Sequence, residues 1–201
     1  MSYRRKDAYY LRARAAGYRA RSAYKLLQLN SRFRLLRRGD VVVDLGAWPG
    51  GWLQVALEAV GAKGRVVGVD LVAIDPLPSP NLRVVGGDVQ DPSTWRTVLE
   101  CLGRPADVVL SDLAPKLTGI RETDDARSAE LVAAVLEMLP TVLRRGGNLL
   151  IKLFMGGAFE LTAAELHRCF EDFRTTRPEA TRKGSAELYG AGRGYRGPHA
   201  S

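Results

Sequence analysis

Lys152 stands inside the apolar run Leu149-Leu-Ile-Lys-Leu-Phe154, where burying a lysine costs too much unless it has a partner or a task. An amine at such a position can take a proton from a weak acid such as a hydroxyl. Four aspartates sit at comparable points. Asp44 lies in Val41-Val-Val-Asp-Leu45, Asp70 closes Arg65 to Asp70, Asp88 follows Leu82 to Val85, and Asp112 ends Ala106 to Asp112. Between the first two runs the glycines of Gly46-Ala-Trp-Pro-Gly-Gly51 allow positive φ and close backbone approach. The helix beginning near Gly51 turns its free N–H groups back on whatever fills that turn, which favours an anionic or carboxylate-bearing ligand.

Asp70 lies about 20 residues past the glycine turn, where an acidic side chain accepts hydrogen bonds from both hydroxyls of a ribose. That placement serves NAD and S-adenosylmethionine (SAM) alike, but a dinucleotide turn needs room for a pyrophosphate, and here Pro49, Trp48 and Trp52 crowd it. Asp88, in Gly86-Gly-Asp-Val89, can accept from an adenine amino group; taken alone it also reads as a turn or capping aspartate ahead of Pro92. Together these residues suit adenosine joined to a small charged amino acid. No metal is expected, because His167 and His199 form no ligand cluster.

The elements that must position these groups alternate. Strands are predicted at Val41 to Leu45, Arg65 to Asp70, Leu82 to Val85, Ala106 to Asp112 and Asn148 to Phe154, with weaker ones at Phe173 to Arg177 and Ala186 to Ala191. Helices are predicted from Ser22, as N-cap, to Leu29, then at Trp52 to Val60, Pro92 to Leu102, Asp124 to Leu143 (kinked at Pro140) and Phe159 to Phe170. This rhythm predicts an α/β fold with a seven-stranded, mostly parallel sheet and helices on both faces. Ligands of such sheets bind beyond the carboxyl ends of the strands, where the aspartates and Lys152 fall.

With 201 residues, 46% of them hydrophobic, one α/β domain is expected. No apolar run approaches the ~20 residues that span a bilayer, no secretory signal follows Met1, and Cys101 and Cys169 read as reduced packing residues, so a cytoplasmic chain is expected. The net charge of +8 is uneven: residues 1 to 38 hold twelve Lys and Arg against the single acid Asp7. Tyrosines at 3, 9, 10, 18 and 24 alternate there with arginines, a mixture suited to phosphates and unpaired bases of RNA. A solvated arm is the plain alternative. Residues 1 to 38 are accordingly expected to form a basic RNA-binding arm and first helix, residues 39 to 192 the catalytic domain, and residues 193 to 201, in a tail rich in Gly and Arg from Gly190, a loose end.

Arg21-Ser-Ala-Tyr-Lys25-Leu, Val43-Asp-Leu-Gly-Ala-x-Pro-Gly-Gly-Trp52, Gly87-Asp88, Ser111-Asp-Leu-Ala-Pro115, Lys152-Leu-Phe-x-Gly156 and Ser185-Ala-Glu-Leu-Tyr189 together resemble the FtsJ/RrmJ family of SAM-dependent ribose 2′-O-methyltransferases. The likeness spans about residues 4 to 192. It implies a class I, Rossmann-like methyltransferase fold, a catalytic tetrad at Lys25, Asp112, Lys152 and Glu187, and cofactor contacts at Gly46, Gly50, Trp52, Asp70, Asp88 and Asp112. Trp48 departs from the small residue usual there, and a ring at that place narrows the cofactor mouth. In this reading Lys152 is the base, Asp112 orients it, and Lys25 with Glu187 holds the ribose. Two adjacent lysines would each disfavour the other's charge. The implied target is a uridine of large-subunit ribosomal RNA, bound by a monomer. The alternatives are a transfer-RNA 2′-O-methyltransferase, a non-catalytic ribosome-assembly factor and a nicotinamide-dependent dehydrogenase. Singly, Lys25 would pass as an exposed helix lysine, Glu187 as an edge-strand solubiliser and Asp112 as a strand-end cap.

Overall fold

The computed structural model describes residues 8–116, 118–182 and 184–197. In chain order the elements are α1 (Ala8–Ala15), α2 (Ala23–Phe33), β1 (Val41–Leu45), α3 (Gly51–Val60), β2 (Arg65–Asp70), β3 (Leu82–Gly86), α4 (Pro92–Leu102), β4 (Ala106–Ser111), α5 (Arg121–Val142), β5 (Leu143–Phe154), α6 (Phe159–Cys169), β6 (Phe170–Thr176) and β7 (Glu187–Tyr195). The strands form one sheet in the order β3-β2-β1-β4-β5-β7-β6. Strands β1 to β5 pair in parallel, and β7 runs antiparallel to both neighbours.

The apolar runs become strands because both faces are covered. Val42, Val66, Val108 and Leu150 face α2 and α3, whereas Val43, Val67, Val109 and Leu149 face α4, α5 and α6. Alternate residues of one strand thus enter two cores, which is why parallel strands read as unbroken hydrophobic runs. The same parallel arrangement gathers every residue that follows β1 to β5 at one rim of the sheet.

Three expectations are corrected here. The first concerns α2, which is no part of a separate arm: Leu26 and Leu29 are buried in the same cluster as Leu53, Leu150 and Tyr189. Ser22 has helical backbone angles and makes no side-chain cap. The second concerns α1, a helix where none was expected; Arg12 lies 5.7 and 5.1 Å from the ring centres of Tyr9 and Tyr24. Residues 1–7, including Tyr3 and the Arg4-Arg-Lys6 cluster, lie outside the described residues.

The third correction is the tail, because β7 continues through Gly190, Gly192 and Gly194 to Tyr195. Its glycines are flat ledges for rings. A Cβ at Gly190 would stand 2.4 Å from Phe173 Cζ, and one at Gly192 would stand 2.7 Å from Phe170 Cγ. Gly190→Ala is therefore expected to cost about 1–3 kcal/mol by overpacking, and to lower the thermal midpoint by about 2–4 °C per kcal/mol. Calorimetry showing an unchanged midpoint would contradict the ledge. Elsewhere the shifts are small: α5 starts at Arg121 and runs through Pro140 to Val142, and β5 starts at Leu143 with a register shift against β4.

Candidate active site

Four charged side chains converge at the carboxyl rim from separate elements. Lys25 comes from the first turn of α2, Asp112 directly follows β4, Lys152 belongs to β5, and Glu187 opens β7. Trp52 fixes the approach of α2, since its indole N–H donates to the Ser22 carbonyl at 2.9 Å and its ring lies 5.9 Å from that of Tyr189. The β5–β7 register puts Lys152 opposite Tyr189 and Phe154 opposite Glu187.

The charges alternate. Lys25 Nζ donates to Glu187 Oε1 at 2.5 Å, Glu187 Oε2 lies 4.0 Å from Lys152 Nζ, and Lys152 Nζ lies 2.7 Å from Asp112 Oδ1. Tyr189 closes the ring, its hydroxyl donating to Asp112 Oδ1 at 2.6 Å and receiving a longer bond from Lys25 Nζ at 3.4 Å. Both lysines are at least nine-tenths buried. The sequence reading sets the two lysines against each other, but the structure gives each its own carboxylate. Lys152 Nζ also donates to the Asp112 carbonyl at 3.0 Å. Asp112 thus offers this amine two acceptors, its carboxylate and its carbonyl, and both fix where the amine lies.

Tyr189 was not singled out from the sequence. It lies two residues from Glu187, and side chains two apart on a strand share a face, so the signal was present. Burial first, then the Asp112 and Glu187 carboxylates, push its phenol well above the ordinary range and keep it a donor.

The cofactor edge adjoins this ring. Gly46 has φ 78°, and a Cβ there would stand 3.1 Å from Leu113 Cδ2 and 3.2 Å from Leu113 N, so glycine lets the turn lie against the segment after β4. Gly50 caps α3 with φ 108°. Asp70 accepts the Trp48 N–H on Oδ2 and the Val72 N–H on Oδ1, both at 2.8 Å, which leaves a lone pair on each oxygen for a ligand hydroxyl. Asp88 accepts from Gln90 N at 2.9 Å, while Asp91 is the residue that caps α4.

Trp52 and Arg19 differ from expectation. The Trp52 side chain is buried and committed to Ser22 and Tyr189, so what it can offer a cofactor is its backbone. Trp48 is 56% exposed, and its backbone N–H is the one that donates to Asp70 Oδ2. Arg19, expected among the RNA contacts, instead clamps the cofactor edge: its guanidinium donates to the carbonyls of Pro49 (3.2 Å), Asp75 (2.6 Å) and Pro76 (2.7 Å).

Asp44 bears on which ligand this edge fits. Both of its carboxylate oxygens are buried without a hydrogen-bond partner. Burial, reinforced by Asp112 and Asp70, pushes its carboxyl well above the usual range. An unpaired carboxylate beneath a glycine turn and a helix N-terminus fits a ligand carrying positive and negative charge together, as the aminoacyl sulfonium of SAM does. Asp70→Ala should weaken SAM binding by about 1.5–3 kcal/mol, the cost of losing hydrogen bonds to a charged acceptor. Unchanged affinity in titration calorimetry would remove Asp70 from the site. Among the described residues no group of three or more His, Cys, Asp or Glu is placed to hold a metal ion.

A sheet ordered 3-2-1-4-5-7-6 with its seventh strand reversed, its glycine turn after β1 and its acidic residues after β2 and β3, is the class I, Rossmann-like fold of SAM-dependent methyltransferases. The chain belongs to the FtsJ-like methyltransferase family, whose sequence pattern matches residues 18–195. It is 48% identical over 194 residues to a ribosomal RNA large subunit methyltransferase E of Methanothermobacter thermautotrophicus, covering 96% of this chain and 92% of that protein. A protein of the same name from Myxococcus xanthus is 44% identical over 198 residues, covering 98% and 93%. Among solved structures, one described as a ribosomal RNA methyltransferase of Plasmodium falciparum superposes with a TM-score of 0.79 at 26% identity, covering 90% of this chain and all of that one. Fibrillarin of Aeropyrum pernix, a structure that holds SAM, shares the fold at a TM-score of 0.62 and 17% identity, covering 87% of this chain and 75% of that one.

Proposed function

We propose that the protein transfers the methyl group of SAM to the 2′-hydroxyl of a ribose in large-subunit ribosomal RNA, with a uridine as the target. The observation that carries this reading is the buried ring of Lys25, Glu187, Lys152, Asp112 and Tyr189 beside the cofactor edge. The curated relatives carry the name of large-subunit ribosomal RNA methyltransferases, which supports the same substrate.

SAM bound at this edge would supply an activated methyl group on a sulfonium. The protein's share is alignment and the removal of one proton. Lys152 takes the hydroxyl proton, held in aim by the carboxylate and carbonyl of Asp112. Lys25, anchored by Glu187, holds the ribose oxygen. Asp70 and Asp88 receive the ribose and adenine groups of the cofactor, and Asp44 answers its positive charge. An assembly factor without activity would have no use for two buried lysines each paired to a carboxylate at the mouth of a cofactor site.

The test is labelling with methyl-tritiated SAM of free transfer RNA, free ribosomal RNA and ribosomal subunits, followed by nucleoside mapping. Label in a 2′-O-methyluridine of large-subunit RNA is the expected result; label confined to transfer RNA or to a base would overturn it. Among the described residues no helix is long and apolar enough to cross a membrane, and a ribosomal RNA substrate supports a cytoplasmic location.

The arm serves RNA in this reading. Deleting residues 1 to 15 removes Arg4, Arg5, Lys6, Arg12 and Arg14. RNA affinity should fall, and the slope of log K against log salt should become shallower by about 0.7 per lost contact, with SAM binding retained. Extending the deletion through Arg19 should weaken SAM binding as well, because the clamp on Pro49 is lost. Equal RNA affinity and equal slope for the shorter deletion would make the arm a bystander.

A further inference from the structure

The opposite rim of the sheet, where β1 to β5 begin, holds a concentration of positive charge that the reaction does not use. The connection into β1 carries Arg37 and Arg38, and Lys63 and Arg65 stand at the start of β2. Arg83 opens β3 behind Leu82, Arg104 precedes β4, and Arg144 and Arg145 follow the first residue of β5. All eight are exposed. Against them these connections place two carboxylates, Asp40 and Asp107, and Asp107 is shared by Arg104 and Arg144 at 2.5 and 2.6 Å. Lys63, Arg65, Arg83 and Arg104 also line a hollow of about 630 Å³.

The simplest account of cations here is that they neutralise helix ends, since α2, α3, α4 and α5 all terminate at this rim. Arg65 does so, donating to the carbonyls of Leu102 (2.7 Å) and Cys101 (3.4 Å) at the end of α4. Magnitudes show that this is insufficient. Four helix C-termini present roughly half a negative charge each, about two in all. Two aspartates and two charges' worth of helix ends leave about half of the eight cations unanswered, on a surface that also has a concave seat.

We propose that this rim is a second RNA-binding surface, which grips the phosphate backbone of a folded element of the same large RNA while the target nucleotide lies at the carboxyl rim. The proposal rests on the RNA-methyltransferase reading above and adds to it a contact distant from the chemistry. At about 3.3 Å per residue the six residues of β2 separate the two rims by roughly 20 Å. The two or three nucleotides around the target cannot reach both. A folded RNA large enough to wrap the enzyme touches both at once, and backbone contacts of this kind position it without reading sequence.

The experiment combines Arg38→Ala, Lys63→Ala, Arg83→Ala and Arg145→Ala in the full chain, exposed changes that each cost little stability. Affinity is measured across a salt series for a structured large-subunit ribosomal RNA domain and for a short single strand, with SAM affinity alongside. For the structured RNA we expect about tenfold or greater loss of affinity and a salt slope shallower by about 0.7 per contact, up to about 3 for four contacts. Affinity for the short strand and for SAM should stay at the wild-type level. A wild type that methylates ribosomal RNA while the variant keeps its affinity and slope on the structured RNA overturns the rim and spares the functional reading. Equal loss on the short strand also overturns it, by reducing the rim to a general field of the whole protein. A wild type that neither binds nor methylates RNA overturns both.

Discussion

Lys152→Ala and Lys152→Arg are both expected to abolish methyl transfer while leaving SAM affinity near the wild-type value. The pair separates a base from a mere cation. Arginine keeps the positive charge and a donor for Asp112, but it cannot be deprotonated in a protein, so a reaction that needs a neutral amine fails with either residue. General-base catalysis contributes typically about 10²–10⁴-fold, and the loss should be of that order. Alanine alone would be ambiguous, since removing one partner of a buried ion pair costs about 3–5 kcal/mol and can unsettle the fold. Asp112 still receives the Tyr189 hydroxyl at 2.6 Å in the variant, which limits that damage, and the arginine variant keeps the charge balance. Lys25→Arg should retain far more activity than Lys152→Arg, because Lys25 acts as a cation anchored by Glu187. Single-turnover rates at saturating SAM and RNA read both. An active Lys152→Arg enzyme would take the base role from Lys152.

The parallel strands and the polar residues beyond them were legible in the sequence for a physical reason. A strand covered on both faces must be apolar throughout, so an aspartate or lysine in or after such a run is conspicuous. Asp70, Asp88, Asp112 and Lys152 were found in that way. Lys25 and Glu187 were not, because their partnership joins a helix and a strand 162 residues apart, and neither has a local signature; the family resemblance supplied them. Strand β7 was cut short because its glycines look like a flexible tail, whereas Phe170 and Phe173 of β6 need those positions empty. Arg19 was placed with its arginine neighbours, although its partners, the carbonyls of Pro49, Asp75 and Pro76, come from loops that only the fold brings to it. Composition identifies a cation, and the fold decides which oxygens it meets.

Asp44→Asn should make the protein without cofactor more stable at neutral pH and weaken SAM binding by about tenfold or more. The carboxyl of Asp44 is raised well above its ordinary value by burial, with Asp112 and Asp70 acting in the same direction, and neither oxygen has a partner. An acid raised on folding contributes its full stability below its unfolded value of about 3.9, and loses it as pH climbs toward the folded value. At neutral pH the wild type therefore bears the cost of an isolated buried acid. An amide of the same shape, neutral at every pH, avoids that cost and should flatten stability against pH across this window. The cofactor effect has the opposite sign, because the positive charge of bound SAM stabilises the carboxylate that burial penalises. SAM binding should then release protons from the wild type wherever Asp44 is still protonated beforehand, and calorimetry in two buffers of different ionisation enthalpy measures that release directly. The variant should lose this component while Asp70 and Asp88 still hold the nucleoside. Unchanged SAM affinity in Asp44→Asn, with no difference in proton release, would show that the buried carboxylate does not answer the cofactor's charge, and would leave it as an unsatisfied group of the fold.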